Sequence, residues 1–413
     1  MNKAIKAAGT LLLIGSILAG CTIDKRDKEA TEQASQTETG AAAPSATAAQ
    51  PATGTLTAVP WLATKNTTRI QTSDPVEAAI LVSRTLWPAL SEASRTASVV
   101  LTDPANWQIA AVSADLIHHP SNGPVLFLTK DEVPSATLAE LKRLNPLGAE
   151  GNRGIQVVIV GDVGENVIHQ LTEAGWKTDA IPGSDPAQVA QAVDAYYAKV
   201  AGEMPEGVII GSSEEADYTL PAVNWIAHMP EPLLYVAKDE IPAATAEALK
   251  NRNGKAQLYV LGQSTVISDK VVNELKNYGT VTRIAGKNPY ENAVAFAAFK
   301  DQATDFGWGI TTPGHNFSFV AKGQAALAIA AASFSHLGKH APLLLTDKTG
   351  MPAPVMEYVM SLQPKFKDSP AEGPYNHAWL TGDAAAISVK AQDEIDQMLE
   401  IASDNGANPH SGH

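Results

Sequence analysis

Pro124-Val-Leu-Phe-Leu-Thr-Lys130-Asp-Glu-Val-Pro134 decides the fold, because the chain repeats it. Pro232-Leu-Leu-Tyr-Val-Ala-Lys238-Asp-Glu-Ile-Pro242 and Pro342-Leu-Leu-Leu-Thr-Asp-Lys348-Thr-Gly-Met-Pro352 follow 108 and then 110 residues later, with the same Pro/Lys/Pro spacing. Each copy pairs an apolar run of strand length with a Pro suited to a helix's first turn. Two further blocks keep the same order. Val157-Val-Ile-Val-Gly161-Asp matches Leu258-Tyr-Val-Leu-Gly262-Gln and Ala378-Trp-Leu-Thr-Gly382-Asp. Arg69-Ile-Gln-Thr-Ser-Asp74-Pro75 matches Ala180-Ile-Pro-Gly183-Ser-Asp185-Pro186 and Arg283-Ile-Ala-Gly286-Lys-Asn288-Pro289.

Within the first unit, β-rich runs (98–101, 125–128, 156–160) alternate with helical stretches (75–87, 109–117, 135–144, 165–174). In the last stretch Val167, Ile168 and Leu171 share one helix face. Strands apolar on both faces, alternating with amphipathic helices, predict a parallel sheet covered on both sides. The expected class is therefore α/β, with three tandem Rossmann-like repeats at 58–177, 178–280 and 281–401 and a flexible tail at 402–413. Units of this size each hold a core, unlike the 20–50-residue repeats of an open solenoid. The short joints near Thr178 and Val281 leave no room for flexible linkers, so the three should pack in fixed orientations.

The N-terminus reads as an export signal. Lys3 and Lys6 precede an apolar stretch from Ala7 to Leu18, too short to span a bilayer comfortably, ending in Leu18-Ala19-Gly20-Cys21. This end resembles a bacterial lipobox, which implies cleavage after residue 20 and a diacylglycerol on Cys21, the only cysteine. Residues 21–57 are rich in Thr, Ala, Ser, Gln and Pro and read as a disordered tether. The expected location is the extracytoplasmic face of the cell membrane, held by lipid.

Composition narrows the chemistry. Over 413 residues the net charge is −14, which argues against a nucleic-acid binder working through a global positive field. A single cysteine excludes a disulfide framework and Cys-rich metal sites. The chain lacks the Gly-x-Ser-x-Gly, His-Glu-x-x-His, Walker A and Gly-x-Gly-x-x-Gly motifs. No enzyme activity, cofactor or metal is expected.

The three ordered blocks resemble the type 2 cell-wall-binding repeat of Gram-positive bacteria. Arg283-Ile-Ala-Gly286-Lys-Asn288-Pro289-Tyr290-Glu291-Asn292-Ala293 looks like that family's opening motif, and Pro342-Leu-Leu-Leu-Thr346 like its central strand. The resemblance covers residues 68–401. It implies three α/β repeats in a pseudo-threefold ring that attach a surface protein non-covalently to an anionic wall polymer. The departures are a Pro in place of the second Arg of the opening motif (Pro75, Pro186, Pro289) and the loss of the family's Phe-Pro-Asp-Ala stretch.

Lys130, Lys238 and Lys348 follow a strand, at the edge where parallel sheets place binding crevices. Together they could meet a repeating anionic polymer with avidity; alternatively they are solvated beside neighbouring acids. Arg69 and Arg283 form a similar pair that Ala180 interrupts. Trp107, Tyr218 and Phe317 read as equivalent aromatics at strand-to-helix junctions, either stacking on sugar or plugging the sheet–helix interface. His336 and His340, spaced i, i+4, and the His118-His119 pair lack neighbouring metal-ligand patterns. Two other readings stay open: a solute-binding lipoprotein with two lobes about one cleft, and a purely structural protein-interaction module.

Overall fold

The computed structural model describes residues 61–337 and 340–405. The expected signal peptide, Cys21, the expected tether and the last residues of the expected tail lie outside them. The chain enters through a hairpin of β1 (Trp61–Ala63) and β2 (Thr67–Ile70), then α1 (Pro75–Leu86). Asp74 starts α1 by accepting the Glu77 N–H, with Pro75 in the first turn, where a missing N–H costs nothing. Next come β3 (Val99–Thr102), α2 (Trp107–Val112), β4 (Val125–Phe127), α3 (Ser135–Leu144), β5 (Val157–Val160), α4 (Glu165–Glu173) and β6 (Thr178–Ile181). The second pass runs α5 (Pro186–Ala201), β7 (Gly207–Ser212), α6 (Ala216–Thr219), α7 (Pro221–Ile226), β8 (Leu233–Val236), α8 (Ala243–Lys250), β9 (Ala256–Leu261), α9 (Asp269–Leu275) and β10 (Gly279–Ile284). The third has α10 (Pro289–Ala298), β11 (Asn316–Ala321), α11 (Ala325–Ala331), β12 (Leu343–Thr346), α12 (Ala353–Ser361), β13 (Lys365–Phe366), β14 (His377–Thr381), α13 (Val389–Leu399) and β15 (Ala402–Ser403).

Beside a two-stranded parallel pair of β13 and β15, three larger parallel sheets result, flanked by helices as the alternating pattern requires. Their strand orders are β4-β3-β5-β6, β8-β7-β9-β10 and β12-β11-β14-β2, with β1 added antiparallel outside β2. The helix starts expected at Pro75, Ser135 and Glu165 are those observed. One detail explains the repeated proline motif. Three residues after Pro134 and Pro242, the Thr137 and Thr245 hydroxyls donate to the Phe127 and Tyr235 carbonyls, tying helix to strand.

The strand that opens each sequence unit lies in the sheet of the unit before it. β6 pairs with β5, β10 with β9, and β2 with β14 near the other end of the chain. Units of sequence and sheets of the fold are thus offset by one strand, and the offset closes a ring. The helix after each of these strands packs against the next unit: α1 on β4 and α3, α5 on β8 and α8, α10 on β12 and α12. Side-by-side contacts recur likewise, α1 with α11, α2 with α5, and α6 with α10.

At the centre, α2, α7 and α11 meet with the 3-10 turns Ser113–Leu116 and Ala332–Ser335 that extend α2 and α11. Small side chains permit the approach: Ala110, Ala111, Ala114, Ala222, Ala328, Ala331 and Ala332 are all buried. The helix expected over 109–117 leaves α-geometry after Val112 and ends at Pro120, which forces extended backbone on His119 (φ −130°, ψ 130°). Polar cross-links fasten the units. Tyr235 Oη donates to the Gln108 carbonyl (2.7 Å), and Asn224 Nδ2 to that of Ala341 (2.8 Å).

One buried group works against stability. Asp115 is 1% exposed, and neither carboxylate oxygen has a hydrogen-bond partner among the described residues. Burial, reinforced by Asp194 and Glu231 and opposed by Arg252, holds its pKa well above the usual carboxylate range. A raised folded pKa gives stability that is complete below the unfolded value and drains away as pH rises. Asp115→Asn is therefore expected to add about 1–3 kcal/mol at pH 7 and almost nothing near pH 3.5. Urea midpoints at the two pH values check this; equal gains at both would contradict it.

Candidate functional site

In the first sheet the chain leaves β3 for β4 on one side and reaches β5 and β6 on the other. Ligands of open parallel sheets bind beyond the strand C-termini at such a reversal. A crevice of about 240 Å³ lies there, lined by Asp103, Asn106, Ile109, Lys130, Asp162 and Ser184 among others. Its walls are held by side chains that accept from backbone N–H groups. Asp103 accepts the N–H groups of Ala105 (2.9 Å) and Lys130 (3.1 Å), locking the loop after β3 to the loop after β4. Asp162 accepts the Gly183 N–H (2.7 Å), and Asn106 caps α2 at Ile109 N–H (3.3 Å). Gly161 takes φ +100°, and a Cβ there would sit 3.1 Å from Ile109 Cγ2, so the turn requires glycine. The result is a polar slot with carboxylates on its walls and one exposed ammonium, Lys130, at its lip.

The three lysines occupy matching positions. The carbonyls of Lys130, Lys238 and Lys348 accept the N–H of Gly164 (2.7 Å), Ser268 (2.9 Å) and Ser388 (2.8 Å), each at the start of a helix. All three side chains are exposed. Their backbones are pinned while their ammonium groups face water, at the C-terminal edge of each sheet.

Arg69 is corrected from contact residue to internal clamp. It is 0% exposed, and its guanidinium donates to the carbonyls of Gly382 (2.9 Å), Asp383 (3.1 Å) and Ile387 (2.8 Å) and to Gln392 Oε1 (2.8 Å). Burial lowers its pKa to about 10, opposed by Asp383, which leaves it charged at neutral pH. Arg283 repeats the theme less completely, donating to the Gly262 carbonyl (2.6 Å) and to Asp269 (3.0 Å) with 22% of its side chain exposed. Both arginines hold the turn glycine of the neighbouring strand.

The three aromatics are not equivalent. Trp107 opens α2 and meets Tyr235 edge-on (6.0 Å, 88°). Tyr218 is the third residue of α6 and 8% exposed, and Phe317 is wholly buried inside β11. Counted from the helix starts, the partners of Tyr218 are Ile109 and Leu327, each lying beneath the turn glycine of its sheet. The loops before these helices differ in length, so matching by aromatic type misaligned them. At the second sheet Gln263 Nε2 donates to the Tyr218 hydroxyl (3.2 Å) and to the Lys287 carbonyl (3.0 Å).

At the third sheet, Tyr290 bonds Asp347 through its hydroxyl and lies beneath the Lys322 ammonium (5.7 Å to the ring centroid). Lys322, Asp103 and Asp162 escaped the sequence reading. Their signal was position, the first or second residue after a strand, rather than type.

Three sheets of one design, joined by exchanged strands, define a tandem-repeat α/β protein. Residues 283–392 match the family model of cell wall binding domain 2 (CWB2). Two curated proteins of Bacillus subtilis (strain 168) are similar. N-acetylmuramoyl-L-alanine amidase LytC is 28% identical over 236 residues, 56% of this chain and 42% of that protein. The amidase enhancer is 30% identical over 148 residues, 36% of this chain and 19% of that protein. The matched segment thus spans less than half of either relative. Two solved structures from Clostridium difficile share the fold over 81% of this chain: Cwp6 (20% identity, TM-score 0.65, 48% of its length) and Cwp8 (18%, 0.59, 52%).

Proposed function

We propose that the chain is a membrane-anchored surface lipoprotein whose ring binds an anionic cell-wall polymer non-covalently and without catalysis. The match of residues 283–392 to the cell wall binding domain 2 family carries this reading. The polar crevice at the first sheet and the exposed lysines at equivalent places on all three support it. A lipid on Cys21 would hold the ring to the membrane through residues 22–57. Three similar sheets also suit a repeating ligand better than the two lobes and single cleft of a solute receptor.

The test is co-sedimentation of the full-length chain with purified wall material across a salt series. Each single Lys→Ala change at 130, 238 or 348 is expected to weaken binding a few-fold. The triple change should weaken it about 100-fold, because linked weak contacts multiply. Wild-type protein that stays in the supernatant at low salt, with or without divalent cations, refutes the reading.

A further inference from the structure

Four histidines from distant parts of the chain meet where the three core helices end. His118 follows the turn Ser113–Leu116 that extends α2, His228 lies two residues beyond α7, and His336 follows the turn Ala332–Ser335 beyond α11. His340 completes the set. Ring centroids of His118 and His336 lie 4.9 Å apart, those of His118 and His228 5.8 Å, and those of His228 and His340 4.3 Å. One imidazole or more therefore comes from each sheet unit, and the cluster lies where the three mutually contacting helices end. We propose that these imidazoles form an acid-sensitive seal of the ring, shut while they are neutral and opened when they take up protons.

The surroundings favour the neutral form. His336 is 5% exposed, packs against Trp87 and reaches across units to Asn122 Oδ1 through Nε2 (2.9 Å). His228 is half-buried, and its Nδ1 has no hydrogen-bond partner among the described residues. The charges that act on His228 are those of His340 and His118, and on His336 those of His118 and His228. His119 and His315 stand at the margin, coupled to His118 and His340 respectively. Burial first and neighbouring imidazoles second bring His228 and His336 down to about 4. His118 and His340 are exposed, so protons reach the cluster from solvent. Adding a second positive charge about 5 Å from the first pushes apart segments that belong to different units.

The sign follows from linkage. A histidine with a depressed folded pKa takes up its proton more readily when unfolded. Its contribution is therefore complete above about 6.5 and is lost as pH falls towards 4. Each such histidine can raise the unfolding constant up to about tenfold per pH unit. The experiment compares full-length wild type with His228→Phe/His336→Gln, which keeps a ring at one position and an amide donor at the other. Urea unfolding at pH 7 and pH 5 should show the wild-type unfolding constant rising about 100- to 1,000-fold more than that of the variant. Reading the difference cancels the opposite drift from Asp115 and other shared groups.

Imidazole NMR titration of the wild type keeps the inference testable if the variant folds poorly; both rings should still be neutral at pH 5.5. Hydrogen exchange should lose protection at residues 117–122, 227–229 and 340–341 between pH 7 and pH 5. Parallel curves for the two proteins, titration of both rings near 6.5, or unchanged protection at pH 5 would overturn the seal.

Discussion

Arg69→Met is expected to destabilise the folded chain by about 3–5 kcal/mol, the range for breaking a buried charge network from one side. Four carbonyls, those of Gly382, Asp383, Ile387 and Ser388, and one side-chain amide oxygen accept from this one guanidinium, and no water replaces it at a fully buried site. The bonds join β2 to the turn after β14 and to the start of α13, so their loss unfastens the ring at its closing strand. Arg69→Lys should recover little, because a point ammonium cannot reach acceptors arranged for a planar fork. Arg283→Met should cost only about 1 kcal/mol, since its partner Asp269 is 77% exposed and solvent can replace the contact. Urea midpoints of the three variants check the order. A polymer-contact arginine would give the opposite pattern: weaker wall binding with stability unchanged.

That contrast marks where sequence reading stops. The apolar runs at 125–128 and 156–160 and the proline-led helices were legible because local pattern sets them, and the observed bounds agree within two residues. The turn glycines were legible for the same reason, since Gly161, Gly262 and Gly382 all need a positive φ. The burial of Arg69 was not. It depends on β2 pairing with a strand some 310 residues away, as in the register of Thr67 with Ala378, and a charged side chain at a unit's start looks exposed until that pairing is known. The histidine cluster was hidden likewise. His118-His119 reads as a helix end and His336/His340 as a local pair, while His228 carries no local signal. Only the meeting of three helices brings them together. The aromatic alignment failed for a further reason: a buried plug is chosen by size, so Ile109, Tyr218 and Leu327 serve one position with three chemistries.

Removing the chain through Ile70 should do more damage than any single substitution above. The deleted stretch supplies β2 as the last parallel strand of the third sheet, leaving β14 with an open edge from Ala378 to Thr381. It also supplies a polar zipper along α13. Asn66 donates from its backbone to Asp396 Oδ1 (2.7 Å) and from Nδ2 to the Asp396 carbonyl (3.0 Å), and Gln392 Nε2 donates to Thr67 Oγ1 (2.9 Å). Lys65 pairs with Glu400, though exposure limits what that adds. With these gone, α13 keeps its apolar face but loses its register, and α1 loses the strand that aims it between the first and third units. A chain beginning at residue 58 should therefore unfold in one cooperative transition. A chain beginning at residue 71 should exchange the amides of β11 and β14 rapidly and melt in separate steps, the third unit first. Hydrogen exchange and thermal melts on the two truncations decide it. Equal protection of Phe319 and Leu380 in both would mean that the third sheet stands without β2 and that the ring is not closed by its ends.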